Sequence, residues 1–220
     1  MDVQKEITKK LQSIVGKHSI NVVFSDWIHL MAYSLSNSTD KQNFDTREAL
    51  YLDTIRKYSK DQASVFCECT GLLTIGLEMK KMDWLGTIFQ TLNLSNKAMG
   101  QCFTPHHIAC LMADLSFQST INEIDKKGYA FYYETCCGSG SLVLGFISVM
   151  LKKGYNYQRQ LVVQIEDLDE LCLLMAYVQL SLLGVNAACQ VKNSLSNEVF
   201  STWKTPFHFI LGNHFHPINH

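Results

Sequence analysis

The sequence has no excess of basic residues. Its 220 residues carry 19 lysines and arginines against 20 aspartates and glutamates, so the formal net charge is −1. A protein that holds DNA unaided normally presents a basic face, because phosphate neutralisation and counterion release supply most of the nonspecific affinity. The lysines form short scattered groups such as Lys80-Lys81 and Lys126-Lys127, as on an ordinary solvated surface. We therefore expect no strong DNA binding by this chain alone.

The eight cysteines lack the paired Cys-x-x-Cys spacing of a zinc site. One residue separates Cys67 from Cys69, Cys136 and Cys137 are adjacent, and the remaining cysteines stand alone: Cys102, Cys110, Cys172 and Cys189. Four histidines near the carboxyl end lack a helical or strand register that would collect a metal: His208, His214, His216 and His220. We predict no metal site, free cysteines and a reducing cytoplasmic location.

Internal repeats, low-complexity tracts and secretory signals are also lacking, and the apolar stretch 22–35 is too short and too polar to cross a bilayer. Residues 1–98 have mostly helical patterns, for example over 47–58 and 63–79. We predict a helical domain over residues 1–98 and a second domain over residues 99–220.

A Gly-Ser-Gly turn is the most specific feature of the second domain. Residues 129–133 form a strand-like aromatic run, Gly138, Ser139 and Gly140 form the turn, and an apolar helix is predicted over 142–151. Glycines in such a turn let the backbone approach a ligand closely. Alone, the pattern is equally compatible with a tight strand-to-helix turn.

A second strand, over residues 161–166, is followed by Asp167 and Asp169. Ligands of open α/β sheets bind at the carboxyl ends of the strands, where an acidic side chain can hold ribose hydroxyls. Asp169 also suits a helix N-cap, since a helical run to Leu183 follows it. Asp167 is thus the better candidate for the ribose.

Upstream, Thr104 and Pro105 are typical of an N-cap and a first helical position, and apolar residues then recur at helical spacing: Ile108, Leu111, Met112 and Leu115. Phe103 precedes this helix start, whose free amides could receive a carboxylate.

In their order these segments resemble the motifs of adenine-N6 DNA methyltransferases, especially the modification subunits of type I restriction systems. The matching stretches run in the family's order: Asp83-Trp-Leu-Gly-Thr-Ile-Phe89, Gly100-Gln-Cys-Phe-Thr-Pro105, Glu134-Thr-Cys-Cys-Gly-Ser-Gly140, Asp167-Leu-Asp169 and Lys192-Asn-Ser-Leu195. The resemblance implies a Rossmann-like, S-adenosylmethionine-dependent methyltransferase fold with a mainly parallel, truncated sheet.

Each site residue implied by the resemblance has a role in cofactor binding. Phe103, Thr104 and Pro105 would lie beside the methionine part of S-adenosylmethionine, and Asp167 would hold the ribose. Asn193 would face the adenine ring. The loop that would wrap the cofactor carries Glu134 for the family's aspartate, Thr135 for its proline and Cys136 for its alanine, followed by Gly138, Ser139 and Gly140.

The catalytic loop departs from the family pattern. Residues 207–213 are predicted as a fourth buried strand ending at Asn213, the family's catalytic asparagine, but His214-Phe-His216 replaces Pro-Pro-Tyr. Those prolines hold the loop rigid, and its aromatic residue stacks on a flipped base. Short stand-alone relatives on phages and mobile elements look similar here.

Two hypotheses about function follow. The chain is either an adenine-N6 DNA methyltransferase of a restriction-modification or mobile-element system, or a noncatalytic S-adenosylmethionine-binding or assembly module. In both cases we expect it to reach DNA through an oligomer or a partner such as a specificity subunit, because strands beyond Asn213 and a target-recognition domain are not part of the sequence. Methylation of a small molecule or a protein is a third, weaker hypothesis.

Overall fold

The structure is a computed structural model that describes residues 2–94 and 103–211. A series of helices is followed by strands that alternate with helices. In chain order the elements are α1 (Val3–Ser13), α2 (Ile20–Asn37), α3 (Phe44–Ile55), α4 (Lys60–Met79), α5 (Trp84–Thr91), α6 (His106–Lys127), β1 (Ala130–Glu134), α7 (Ser141–Lys152), α8 (Tyr157–Gln160), β2 (Leu161–Asp167), α9 (Glu170–Leu182), β3 (Asn186–Asn193), β4 (Glu198–Lys204) and α10 (Pro206–Leu211). None of the described helices combines the length and apolar composition needed to span a membrane.

The strands form one sheet in the order β1-β2-β3-β4. β1, β2 and β3 are parallel, whereas β4 runs antiparallel to β3. The register places Glu134 beside Ile165 and Asp167 beside Val191, so the carboxyl ends of the three parallel strands meet at one edge. The predicted α/β architecture with a mainly parallel sheet is confirmed.

Polar side chains fix where several helices begin. Asp169 accepts a hydrogen bond from the backbone N–H of Cys172, which makes it the N-cap of α9, as its position predicted. Ser59 and Gln62 form a capping box at the start of α4. These caps satisfy amide groups that a helix start otherwise leaves without a partner.

The helix after Phe103 begins one residue later than predicted. Thr104 is not its N-cap: Pro105 holds that position with φ −58° and ψ 139°, and no side chain caps this helix start. The carbonyl of Pro105 accepts the first helical hydrogen bonds, from the N–H groups of Ile108 and Ala109. Extended backbone at Pro105 therefore directs the chain into α6.

The apolar side chains that predicted α6 face solvent. Between 39% and 79% of each is exposed, and the residues are Ile108, Leu111, Met112 and Leu115. The opposite side of α6 is buried, through Ala109, Ala113, Phe117, Thr120 and Ile124. A Cβ atom on Gly145 of α7 would lie 2.6 Å from the Cβ of Ala109, so the two helices meet at their smallest residues.

The prediction of a strand over residues 207–213 is wrong for residues 207–211, which belong to the helix α10. Residues 212 and 213 lie outside the described part of the chain. The fourth strand is β4 instead. Thr205 decides this path, because its hydroxyl donates to the carbonyl of Val185 and accepts from the N–H of Ala187, at the amino end of β3. Pro206 then suits the first turn of a helix, which needs no N–H there.

Helices α1 to α5 pack against the sheet through α9, and one hydrophobic core runs through both halves of the described chain. Trp27 and Phe24 of α2 are fully buried, as is Tyr177 of α9. The predicted boundary between residues 98 and 99 lies outside the described residues and stays a prediction.

A buried arginine joins the helical part to the sheet. The guanidinium of Arg47 lies 2.7 Å from a carboxylate oxygen of Asp40, and each side chain is 8% exposed. It also donates to the backbone carbonyl of Thr202, at 2.8 Å, and stacks on the ring of Trp203, 3.8 Å from its centroid. A planar, permanently charged group suits this combination of fork-like hydrogen bonding and ring stacking.

Replacing Arg47 with leucine should destabilise the fold by roughly 3–5 kcal/mol, because it leaves the carboxylate of Asp40 buried without its cation. Urea denaturation measures the effect. The matched control is Arg56→Leu, whose ion pair with Asp53 is more than 70% exposed on both sides; it should cost about 0.5 kcal/mol or less. Equal losses in the two variants would contradict this role of Arg47.

Candidate cofactor site

The loop between β1 and α7 contains three residues with positive φ, a conformation that few residue types other than glycine adopt easily. Gly138 and Gly140 have φ values of 55° and 90°, and Cys136 has a φ of 60°. The N–H of Cys137 donates to the carbonyl of Glu166, at 2.9 Å, which holds the loop against the end of β2. The loop therefore curls over the carboxyl edge of the sheet, where α/β folds bind their ligands.

Asp167, at the end of β2, supports this loop directly. One carboxylate oxygen accepts from the N–H of Gly138, at 2.7 Å, and the other from the N–H of Asp169, at 2.9 Å. Burial raises the pKa of Asp167, against the effect of these backbone hydrogen bonds. Each carboxylate oxygen offers two lone pairs, so the group can still accept from a ligand hydroxyl.

Glu134, at the end of β1, lies close enough to Asp167 for the two charges to interact. Burial, and to a smaller extent the charge of Asp167, raise the pKa of Glu134 to about 7, although the hydroxyl of Tyr132 donates to it at 3.0 Å. Near neutral pH, Glu134 is thus divided between its neutral and ionised forms. A cation bound beside it would favour the ionised form.

Phe103 forms the opposite wall of the site. A Cβ atom added to Gly138 would lie 3.2 Å from the ring of Phe103, so the ring packs closely on the glycine backbone and leaves little room for a side chain at position 138. Predicted site residues that the structure brings to this one cleft are Phe103, Thr104, Glu134, Cys136 and Gly138. Pro105 lines an adjoining cleft, which Phe103 and Thr104 share.

The remaining predicted site residues lie elsewhere or outside the description. Asn193 ends β3, and its side-chain oxygen accepts from the N–H groups of Leu195 and Ser196, which closes a turn. Ser139 is fully buried and points away from the cleft, while Gly140 begins α7. Asn213 lies outside the described residues.

A buried carboxylate behind the loop was not predicted from the sequence. Asp83 precedes α5 and accepts hydrogen bonds from the hydroxyls of Ser139 and Ser141. Gln179, on α9, donates to Asp83 and to the carbonyl of Ser139, at 3.0 Å in each case. The only local signals were the N-cap position of Asp83 and a single amide within the apolar helix α9.

A second polar cluster lies on the other face of the same sheet edge. Glu166 is fully buried and accepts from Tyr133 and from the ammonium group of Lys192, each at 2.9 Å, and more weakly from Ser194. Burial alone would raise the pKa of Glu166, but the hydrogen bonds from Lys192 and Tyr133 outweigh it and lower that pKa. The cluster joins the ends of β1, β2 and β3.

Metal chemistry has no evident centre in residues 2–94 and 103–211, where no three His, Cys, Asp or Glu side chains are grouped to hold an ion. His208 instead pairs with the side-chain oxygen of Asn186, at 3.0 Å. His214, His216 and His220 lie outside the described residues.

The raised pKa of Glu134 predicts a pH-dependent stability of the ligand-free protein. Its pKa is about 7 in the folded state, against an ordinary value of 4.5. Between these values the folded state keeps a proton that the unfolded chain has released, so stability is greatest below the lower value and falls as the pH rises through about 7. The loss attributable to Glu134 should be roughly 2–3 kcal/mol.

Urea denaturation at pH 5 and pH 8, for wild type and Glu134→Gln, measures this loss. Glutamine keeps an acceptor for Tyr132 but cannot ionise, so the variant should lose less stability over the same range. Parallel pH profiles for the two proteins would contradict the assignment.

Comparison with known proteins identifies a family whose members share these motifs. The model of a family described as N-6 DNA methylase matches residues 81–219, which include Asp83, the glycine loop, Asp167 and Asn193. A solved structure from Listeria monocytogenes, provisionally assigned as a class I S-adenosylmethionine-dependent methyltransferase, aligns at 15% identity with a TM-score of 0.40. That alignment covers 86% of this chain and 52% of the other, so the chain spans about half of that structure.

No curated protein sequence matches the chain. The family match alone covers more than half of its length and includes each motif on which the resemblance was based. It confirms the predicted family, and with it the methyltransferase fold class. The chain belongs to the N-6 DNA methylase family.

Proposed function

We propose that the chain binds S-adenosylmethionine in the cleft between Phe103 and the glycine loop, as the cofactor-binding part of a DNA adenine-N6 methylation system. The observation that carries this proposal is the cleft itself. Phe103, which is distant in the sequence from Glu134 and Gly138, lines one cleft with them at the carboxyl edge of a parallel sheet. Family membership supports S-adenosylmethionine as the ligand.

The chemistry of the cleft suits this cofactor. S-adenosylmethionine carries a positive sulfonium and an ammonium group, and Glu134 and Asp167 supply carboxylates beside the loop. We assign the methionine part of the cofactor to Phe103, Thr104 and Pro105, together with Glu134. The cation would draw Glu134 into its ionised form.

We assign the binding of the nucleoside part of the cofactor to the ends of β2 and β3 and to the glycine loop. We assign the ribose to Asp167, whose oxygens retain free lone pairs, and the adenine to the turn that Asn193 closes. Gly138 lets backbone approach the cofactor and Gly140 turns the loop into α7, while Cys136 is exposed beside them. Ser139 contributes through the shape of the loop, since its side chain is buried.

The methyl-transfer step would take place above this cleft. S-adenosylmethionine held there would supply an electrophilic methyl group to the amino nitrogen of adenine: as the carbon–nitrogen bond formed, the carbon–sulfur bond would break to leave S-adenosylhomocysteine, and the nitrogen would release a proton to solvent. Asn213 is the residue we assign to hold that amino group. We propose DNA as the substrate and the cytoplasm as the location of the protein.

The alternative of a noncatalytic module has one structural observation in its favour. The chain leading toward Asn213 is α10, where His208 contacts Asn186 and Thr205 is bonded to Ala187. These contacts lie at the amino end of β3, whereas the cleft lies at the carboxyl ends of the strands. His214 and His216 also replace the residues that stiffen the catalytic loop in the family.

A partner subunit would explain two features of the surface. The exposed apolar side chains of α6, such as Leu111 and Leu115, continue into a groove along β1 that Met112 and Tyr133 line. Solvent-exposed apolar patches of this kind mark interaction surfaces. The net charge of −1 gives DNA little electrostatic attraction, so a specificity subunit of a restriction-modification or mobile-element system would supply the DNA contact.

Transfer of labelled methyl groups from S-adenosylmethionine to mixed-sequence DNA tests the enzymatic part of this proposal. We expect the isolated chain to be nearly inactive, and the complex with its co-purifying partner to methylate adenine. Asn213→Ala should abolish that activity without weakening cofactor binding. Robust transfer by the isolated chain would contradict the requirement for a partner, and bound cofactor without transfer in any preparation would favour the noncatalytic module.

Cofactor binding has a sharper test at the glycine loop. Gly138→Val should abolish calorimetrically measured binding, because its side chain would fill the space next to Phe103. Gly154→Val is the matched control, since Gly154 has a φ of 83° but no atoms within 4 Å of an added Cβ. Both variants carry similar backbone strain, of about 1–2 kcal/mol. If Gly138→Val binds as tightly as the control, the cleft is not the cofactor site.

A further inference from the structure

Asp83 is a buried carboxylate that touches the loop proposed to hold the ligand. Its residue is 6% exposed, and one carboxylate oxygen accepts from the hydroxyls of both Ser139 and Ser141. The other oxygen accepts from the N–H of Gly86, at 2.8 Å, and from Gln179, at 3.0 Å. All four donors are thus directed at a single carboxylate.

Gln179 fixes the same arrangement from α9. Its side-chain oxygen accepts from the N–H groups of Trp84 and Leu85, at 2.9 and 3.2 Å. Its side-chain N–H₂ donates to Asp83 and to the carbonyl of Ser139. Every polar group of this buried amide is therefore used, and its orientation is determined by α5 on one side and the loop on the other.

The two serines flank the residue where the loop turns into a helix. Gly140 has a φ of 90° and no side chain caps α7, so the hydroxyls of Ser139 and Ser141 go to Asp83 instead of the helix start. A Cβ on Gly86 would lie 2.1 Å from an oxygen of Asp83 and 2.4 Å from the hydroxyl of Ser139. The contact is therefore too close for any other residue at position 86.

Asp83 also reaches the opposite wall of the cleft through α5. It caps the start of this helix, and Phe89, near the end of the same helix, packs against Phe103 with ring centroids 5.7 Å apart. Phe103 in turn packs beside Gly138, and both residues line the cleft. One carboxylate is thereby connected to both walls, to the glycine loop by two hydroxyls and to Phe103 through α5.

We propose that Asp83 is a positioning residue for cofactor binding, which sets the glycine loop and the Phe103 wall at the separation the cofactor needs. This inference rests on the proposed function of the cleft. A loop whose shape is fixed before binding loses less conformational entropy when the ligand arrives. Without the carboxylate, the hydroxyls of Ser139 and Ser141 would lose their acceptor, and Gln179 alone would join the loop to α5.

The test is the affinity for S-adenosylhomocysteine, the demethylated product of the cofactor, measured by calorimetry well below the unfolding temperature. Asp83→Asn should weaken binding about tenfold or more, since asparagine cannot accept all four hydrogen bonds. Asp40→Asn is the matched control. Asp40 is also 6% exposed, and its replacement also weakens buried contacts, but the partners of its side chain are Asn43 and Arg47 rather than residues of the glycine loop. It should lower thermal stability and leave the affinity unchanged.

Two serine variants keep the test decisive if Asp83→Asn fails to fold. Both serines lie on α7 and donate at 2.6 Å to the segment before α5. The hydroxyl of Ser141 donates to the carboxylate of Asp83, and that of Ser148 donates to the backbone carbonyl of Lys81. Ser141→Ala should weaken binding severalfold and speed amide hydrogen exchange over residues 138–141. Ser148→Ala should change neither quantity.

The outcomes separate this inference from the function on which it rests. Weaker binding and faster loop exchange in Asp83→Asn or Ser141→Ala, with unchanged controls, would support a positioning role. Wild-type affinity in folded Asp83→Asn and Ser141→Ala would overturn it and leave the cleft intact as a cofactor site. Equal weakening in the controls would also overturn it, and failure of the wild type to bind would overturn the cofactor site itself.

Discussion

The buried carboxylate of Asp83 is the constraint on which the arrangement of the site depends. A carboxylate in a protein interior is stable only when its hydrogen-bonding capacity is used, and here the four donors come from four parts: the α5 start, the glycine loop, the α7 start and α9. Burial raises the pKa of Asp83, although all four hydrogen bonds oppose that rise. Since no one part can satisfy the group, the helical lead-in and the cofactor loop are energetically coupled.

Strand alternation then distributes the other acidic groups over two faces of the sheet edge. Glu166 and Asp167 are consecutive, so their side chains point in opposite directions. Asp167 turns toward the glycine loop, whereas Glu166 turns toward Tyr133 and Lys192. The first carboxylate shapes the proposed pocket, and the second binds together the three strand ends that support it.

The sequence was sufficient where local chemistry decides the structure. The aromatic strand, the glycine turn, the acidic strand end and the cap at Asp169 follow from short patterns with one physical solution. The helix over Pro206–Leu211 does not, because a short apolar run fits a strand or a helix equally well. The hydrogen bonds of Thr205 with Ala187 and Val185 direct the chain into the helix, and these bonds join residues 18 and 20 positions apart. The side chains that donate to Asp83 are 56 to 96 positions away, and no periodicity indicates contacts at that distance.

The three carboxylates at the sheet edge are stabilised in different ways, and the difference follows their roles. Glu166 has a cation of its own in Lys192, which lowers its pKa and fixes it as a structural anion. Among the described residues, Asp167 has backbone N–H donors but no cation, and Glu134 has only the hydroxyl of Tyr132, so burial raises the pKa of both. Within this described part of the chain, the side of the edge that faces the glycine loop is therefore acidic without a balancing cation. A positively charged ligand would balance these carboxylates in the way that Lys192 balances Glu166 on the other face.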